Sequence, residues 1–372
     1  MAGLTYRKLE ERRAYWSMVL PAFSIYLFVM AFPIVISIVL SLSNYDGGRM
    51  FGGESWGITG FEQYRKLIAD PYFWLALKNN VYVVLISVFG QLPLGFILAY
   101  LIYRKIVKFG DFWQGILYVP AIISVIVIGI MWSIIFSPYG PLAEIFNNYY
   151  AHVYAAKLTS LFPGTTDFVV NDDLINGIMS LSGAAVRDTF GSVADFKEFL
   201  MGYAPGQLSV LKHDLTNLFA PVWTANFLNE RDVAMIPILF VTLWCWTGMY
   251  LILFLANMQK IDPQIIEAAR IDGASEGQVM SKVILPSLSG VIMNAAILCI
   301  AGSLSGFALI FAMTGGGPAR ITQVLSIYMY ENAFMGAPNY PLANAISLAI
   351  VMFSFLLIAL TKLIEKKFGG RE

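Results

Sequence analysis

The chain has 372 residues, 58% of them hydrophobic and 13% charged, and its 24 Lys and Arg balance its 24 Asp and Glu at zero net charge. Soluble domains carry roughly a quarter of their residues charged, so this composition excludes an ordinary water-soluble domain and predicts an all-α polytopic membrane protein. The zero balance makes no electrostatic case for nucleic acid, and none is expected as a partner.

Taken in order, six stretches carry no charge: residues 15–42, 79–102, 112–136, 233–256, 288–313 and 342–360. Each is long enough to cross roughly 30 Å of hydrocarbon, where an unpaired backbone forces a helix. Six transmembrane helices are therefore expected, the first three within 15–136 and the last three within 233–361. The first is too long for the apolar core of a signal peptide and is read as a retained anchor. Pro21, Pro33, Pro93 and Pro120 predict kinks.

Four basic groups flank these stretches: Arg7, Lys8, Arg12 and Arg13; Arg104, Lys105 and Lys108; Lys260, Arg270 and Lys282; Lys362, Lys366, Lys367 and Arg371. With six spans all four fall on one side, which the positive-inside rule makes the cytoplasm. Both termini, 1–14 and 362–372, are then cytoplasmic. On the opposite side, Asp70-Pro71-Tyr72-Phe73-Trp74 precedes the second span and fits an interfacial aromatic belt.

Residues 137–232 form a long loop with helix-spaced apolar residues, such as Leu174, Ile175, Ile178 and Met179, then Leu208, Leu211, Leu215 and Leu218. This predicts a helical extracytoplasmic insertion between the third and fourth spans, punctuated by Gly183, Gly191 and Pro205-Gly206. Such a cap would touch a soluble partner or serve only as packing. Asp172-Asp173 lacks the alternation of a calcium loop and reads as a helix start. His152 and His213 lack metal-like spacing, and Cys245 and Cys299 sit in apolar blocks, so neither a metal site nor a disulfide is expected.

The fifth span contains Gly302-Ser303-Leu304-Ser305-Gly306, too small and polar for lipid contact. Close helix packing and a cavity wall are both consistent with it. Ahead of that span lies the polar segment 257–287. Asp262 suits a helix N-cap with Pro263 in the first turn, Gly273 suits the left-handed residue ending that helix, and Ser275 with Gln278 has the spacing of a capping box. Two short helices joined by a tight bend are predicted.

Glu267-Ala268-Ala269, then Gly273 after three residues, then Leu285-Pro286 after eleven more, resembles the EAA loop of permease subunits of binding-protein-dependent ABC importers. Asp272-Gly273-Ala274 matches the DGA common there. Val283 stands where Ile is usual, and Gly290 where a second Pro often follows. Asn79-Asn80 and Gly315-Gly316-Gly317-Pro318 also resemble segments of the carbohydrate-uptake branch, the maltose and glycerol-phosphate type.

The resemblance implies the type I importer permease fold. It implies a bacterial cytoplasmic (inner) membrane, a second homologous permease, two ATPase subunits holding ATP and Mg, and a solute-binding protein that delivers a sugar. Glu267, Ala268, Ala269, Asp272, Gly273, Leu285 and Pro286 would couple to the ATPase. Carried across without gaps, the sugar-contacting positions of maltose-type permeases fall on Thr242, Cys245, Trp246, Met249, Cys299, Gly302 and Ser303. The Trp246 ring either stacks on a sugar or packs between helices.

The chain has no Walker A sequence and no catalytic residue set, so no cofactor is expected in it and it is not expected to be an enzyme. Charge-free spans argue against an ion-coupled carrier. The alternatives are an importer permease for another solute, such as a glycerol-phosphate, or a membrane scaffold or sensor that keeps the docking loop without transporting.

Overall fold

The computed structural model describes residues 15–48, 56–162, 170–204, 206–219, 227–228, 231 and 233–368. Arg7, Lys8, Arg12, Arg13, Pro205 and Arg371 lie outside them. The described residues are overwhelmingly helical, with one isolated bridge between Ser43 and Ile58. In chain order the helices are α1 (Tyr15–Ser41), α2 (Glu62–Ala69), α3 (Pro71–Tyr103), α4 (Gly110–Ile122), α5 (Val125–Ile135), α6 (Pro141–Ser160), α7 (Asp172–Phe190), α8 (Val193–Met201), α9 (Leu208–Phe219), α10 (Met235–Met258), α11 (Pro263–Ile271), α12 (Glu276–Ser287), α13 (Ser289–Leu304), α14 (Ala308–Thr314), α15 (Leu325–Phe334) and α16 (Tyr340–Phe368).

Among the described residues four helices, α1, α3, α10 and α16, are each long and apolar enough to cross a membrane. Counting each of two bent pairs as one span gives six: α4 with α5 at 96°, and α12 with α13 at 70°. The fifth predicted stretch, 288–313, is not one continuous helix. It breaks at residues 305–307, between α13 and α14. The expected kinks also resolve differently from one proline to the next. Before Pro33 and Pro93, and also before Pro286, where no kink was expected, the helix widens into a π-turn, Leu27–Ala31, Ser87–Gln91 and Met280–Ile284. In each case the residue just before the proline donates five residues back: Phe32 to Leu27, Leu92 to Ser87 and Leu285 to Met280. A proline lacks the N–H for the carbonyl four residues back and its ring collides with it; the wider turn moves that carbonyl aside. The helix runs regularly through Pro21. At Pro120 there is no such turn, and the chain breaks after Ile123, which is extended.

The chain divides into two compact units, residues 1–129 with 238–372, and residues 130–237. In the first unit, α16 packs on α1, α2, α13 and α15, while α3 packs on α13 and α15. A single apolar cluster joins Phe96 and Tyr100 of α3, Tyr250, Phe254 and Met258 of α10, Ile266 of α11, Val279 and Ile284 of α12, and Cys299 of α13. At the other end of α3 the ties are polar. Asn79 donates to the Ile321 and Gln323 carbonyls at 2.9 and 2.8 Å, and Asn80 accepts from the Leu325 N–H at 2.7 Å, closing the first turn of α15. Asp70 caps α3 by accepting from the Tyr72 N–H and also accepts from the Tyr328 hydroxyl. Gly248 permits a backbone contact: a Cβ there would lie 2.0 Å from the Leu117 carbonyl oxygen of α4.

The second unit has its own core of Leu158, Ile178, Phe196, Leu200, Leu211 and Leu215, all fully buried and supplied by α6 through α9. The helical spacings seen in the sequence define its buried faces. Gly183 does not punctuate as expected: α7 runs through it and ends at Gly191, which has φ +71°. A glycine inside a helix costs only about 1 kcal/mol, less than the packing of a long amphipathic helix supplies. Asn171 caps α7 by accepting from the Leu174 N–H, with Asp172 and Asp173 in the first turn. The Tyr203 hydroxyl donates to Asp214 at 2.7 Å; burial and that carboxylate push its pKa up to about 12.

The close approach at Gly248 has a direct consequence. Gly248→Ala is expected to destabilise the protein by about 2 kcal/mol or more, since the close approach of the α4 backbone to α10 leaves no room for a methyl group. Gly302→Ala, where a Cβ would meet nothing within 4 Å, is expected to be neutral or stabilising by up to about 1 kcal/mol through helix propensity. Thermal denaturation of the detergent-solubilised variants, followed by size-exclusion fluorescence, reads both.

Candidate functional site

Two features stand out in the first unit, and both are built from local rules. The first is the polar segment of α11 and α12. Asp262 accepts from the Gln264 N–H at 2.9 Å with Pro263 in the first turn, as expected of an Asp-Pro helix start. The end of α11 closes with paired bonds: Gly273 N–H to the Arg270 carbonyl and Ala274 N–H to the Ala269 carbonyl, each 3.0 Å. That is a Schellman cap, and it needs a left-handed residue at Gly273, whose φ is +83°. The capping box of α12 is complete, the Ser275 N–H donating to Gln278 at 2.8 Å and the Gln278 N–H to the Ser275 hydroxyl at 3.4 Å.

These caps set the faces. Ile266 and Val279 turn into the apolar cluster, while Glu267, Ala268, Asp272, Gly273, Leu285 and Pro286 are exposed and Ala269 is half-buried. A slim, Ala-faced helix thus stands out from the surface with its opposite face anchored. A third tie holds the segment in place. Glu276 accepts two bonds from Arg104, 3.1 and 2.8 Å long, one from the Tyr100 hydroxyl at 2.9 Å, and one from Arg270. None of these Glu276 partners was singled out for that role by sequence reasoning.

The second feature is a cavity of about 330 Å³ between α3, α5, α10, α13 and α14. Of the seven positions expected along a substrate pathway, Thr242, Trp246, Met249, Cys299, Gly302 and Ser303 line it. Cys245 does not: it is fully buried one position away, its thiol directed at the Pro120 carbonyl at 3.8 Å. The break in the fifth span, Ser305-Gly306-Phe307, also lines the cavity. Irregular backbone at membrane depth is tolerated where it faces a cavity or protein rather than lipid, so the break and the cavity explain each other.

The lining carries hydroxyl, amide, indole and thiol groups and no ionisable acid or base of the Asp, Glu, Lys, Arg or His type. Ser303 and Thr242 donate back to carbonyls four residues earlier, at 2.7 Å each, which leaves their oxygen lone pairs to accept. Gln91, missed from the sequence, is the cross-brace of the cavity. Its amide donates to the Thr242 carbonyl at 2.9 Å, and its oxygen faces the Cys299 thiol at 3.8 Å. The available signal was that Gln91 is the one amide side chain in the apolar run 81–102.

A family model described as the binding-protein-dependent transport system inner membrane component matches residues 91–370. The chain belongs to this family. Among curated members, the lactose transport system permease protein LacF of Rhizobium radiobacter is 26% identical over 339 residues, covering 91% of this chain and 89% of that protein. The multiple sugar-binding transport system permease protein MsmF of Streptococcus mutans is 25% identical over 365 residues, covering 98% and 99%. The fold is also that of a chain in a bacterial alginate ABC transporter, solved in complex with an alginate pentasaccharide-bound periplasmic protein. The TM-score is 0.62, with 16% identity and 98% of each chain covered. The chain is therefore an integral-membrane ABC transporter permease of the family, and the family is one of transport subunits.

The geometry predicts unequal access at Gly302 of α13 and Cys245 of α10. Gly302→Cys is expected to react with a small membrane-impermeant methanethiosulfonate at least about tenfold faster than native Cys245, because thiol reactivity follows exposure. Peptide mass spectrometry after timed labelling checks this. Equal rates would contradict the cavity assignment.

Proposed function

We propose that this chain is the membrane-spanning permease subunit of an ATP-driven importer for a neutral sugar or oligosaccharide. The observation that carries this is the joining of two features by one packed core: an exposed, doubly capped helix at one end and an uncharged, hydroxyl- and indole-lined cavity deeper in the bundle. The lactose and multiple-sugar transport systems to which LacF and MsmF belong support the solute class. The lack of a fixed charge in the cavity favours a neutral solute over a glycerol-phosphate.

In this reading a solute-binding protein delivers the sugar to the outer face. A second homologous permease completes the pathway, and two ATPase subunits bind ATP and Mg on the inner face. The chain lies in a bacterial cytoplasmic membrane with both termini inside and residues 137–232 outside. The α11 helix enters a cleft on one ATPase: Ala268 and Ala269 keep it narrow, Glu267 and Asp272 present charge, and Leu285-Pro286 carries the segment back to the bundle. Thr242, Trp246, Met249, Cys299, Gly302 and Ser303 form this subunit's share of the solute path. Closure of the ATPases moves the spans as rigid bodies and exposes the cavity to one side, then the other.

Purification from native membranes with partners attached, followed by reconstitution and uptake of radiolabelled lactose, maltose and sucrose, tests the reading. ATP-dependent accumulation is expected, and a chain recovered alone would contradict it. Gly273→Pro is expected to abolish uptake, since proline fixes φ near −65° where +83° is required. Gly273→Asp is also expected to abolish it. A Cβ at Gly273 meets nothing within 4 Å in this chain, so, beyond the strain of a side chain at φ +83°, the obstruction would fall on the ATPase cleft. Sugar binding to the soluble protein stays intact in both. Normal uptake by either variant would count against the docking role.

A further inference from the structure

The tie between Glu276 and α3 has a consequence for how force would cross this subunit. The covalent chain links α11 and α12 only to α10 and α13, through residues 259–262 and Leu288. The helix α3 has no covalent link to that segment, yet it carries Ser87 and Gln91 into the cavity wall. From Arg104 back to Gln91 is 13 residues of helix, about 20 Å at 1.5 Å per residue. Whatever moves α11 must therefore grip the end of α3 if this cavity wall is to move with it.

Apolar packing brings the parts together without fixing their register, because burial is non-directional. Ile266, Val279 and Tyr100 share one cluster in this way. The directional grip comes from Glu276. Arg104 presents two guanidinium nitrogens to its two carboxylate oxygens, 3.1 and 2.8 Å away, a forked geometry that resists both sliding and rotation. The Arg104 side chain is only 14% exposed, which lessens solvent screening on that side, whereas Arg270 is 47% exposed. The buried Tyr100 donates to the carboxylate at 2.9 Å and lies 3.1 Å from the Glu276 main-chain oxygen. Arg270 reaches the same carboxylate from α11 itself. One side chain thus joins α11, the start of α12 and the end of α3.

We propose that Glu276 is a positioning residue for transport: with Arg104 and Tyr100 it clasps the docking segment to α3, so that displacement of α11 is passed to the cavity wall at Gln91 and Ser87. Glu276 is not among the residues lining the cavity. This role rests on the importer reading given above. At the cavity, Gln91 ties α3 to α10 through the Thr242 carbonyl and faces Cys299 of α13, so the helix is held at both ends of its path.

The test uses the complete reconstituted complex, with wild type, Glu276→Gln, Arg104→Met and the double variant compared in proteoliposomes. Two quantities are read together: radiolabelled sugar accumulated, using whichever of lactose, maltose or sucrose the wild-type complex transports, and ATP hydrolysed. The amount of ATPase that co-purifies with each variant is the control for assembly. Each single variant is expected to lower sugar moved per ATP by about fivefold, within the range of mutations that alter coupling. The double variant is expected to fall no further, because each change breaks the same link. A purely structural role would lower assembly and both activities together and leave their ratio unchanged; that result would overturn the clasp, as would losses that multiply in the double variant. A wild-type complex that accumulates no sugar would instead overturn the importer reading, and the clasp with it.

Discussion

The first unit depends on one continuous apolar column. It begins at Ile266 and Val279 beneath the polar segment, passes Tyr100 and Met258, crosses the edge-to-face pair Phe96 and Phe254 at 5.6 Å, and ends at Tyr250, Trp246 and Cys299 beside the cavity. Six of its residues, Ala99, Leu251, Met258, Val279, Ile284 and Ala295, are completely inaccessible. Cores packed to this degree do not deform smoothly; neighbouring elements shift as blocks or not at all. A displacement applied at α11 therefore has a stiff path into the bundle, and the cavity lies at the far end of it.

Polar ties then decide which elements move together as a block, because burial itself is non-directional. At the end of α3 near Asn79 and Asp70, amide and carboxylate groups hold the chain between Ile321 and Tyr328. At the cavity Gln91 braces α3 against α10. At the end near Arg104 the tie is ionic and partly exposed. The other two ties rest on buried amide bonds from Asn79, Asn80 and Gln91, which water and salt screen little, with a half-buried carboxylate–phenol pair at Asp70, whereas the exposed ionic tie is weakened by both. The exposed tie is thus the adjustable one, and it sits where a partner would act.

Much of the polar segment was legible because capping is local chemistry. Asp262-Pro263, Gly273 and Ser275 with Gln278 each specify a backbone state through neighbours within four residues, and each adopts that state. The apolar runs were legible for a similar reason, since composition over twenty residues determines membrane residence. The buried faces of α7 and α9 followed from period alone. What could not be read is contact over long separations. Glu276 lies 172 residues from Arg104 and Gln91 lies 151 from Thr242, and no spacing rule connects them. Only the family resemblance placed six cavity positions in advance, and it offered no account of Cys245, whose thiol is drawn to a carbonyl that the bend after Pro120 leaves short of a helical partner.

The prolines show why local reading stops short even within a helix. Pro33, Pro93 and Pro286 carry the same steric defect as Pro120, yet three are absorbed by a π-turn and one ends in a 96° break. The difference lies in what the freed groups meet. After Pro120 the chain turns where Gly248 lets the α4 backbone approach α10 within reach of the Leu117 carbonyl, and Cys245 offers a donor to the Pro120 carbonyl. At Pro93 the widened turn has a second effect: it covers Ser87 to Gln91, the two polar residues among the three by which α3 enters the cavity, Val83 being the third. A proline two residues beyond a polar side chain therefore sets that side chain's direction through the turn preceding it. The cavity is lined on one side by this π-turn and on the other by the break at Ser305-Gly306-Phe307, so both walls are places where the regular helix gives way. Backbone irregularity in the two walls is what opens a cavity among spans that otherwise pack closely.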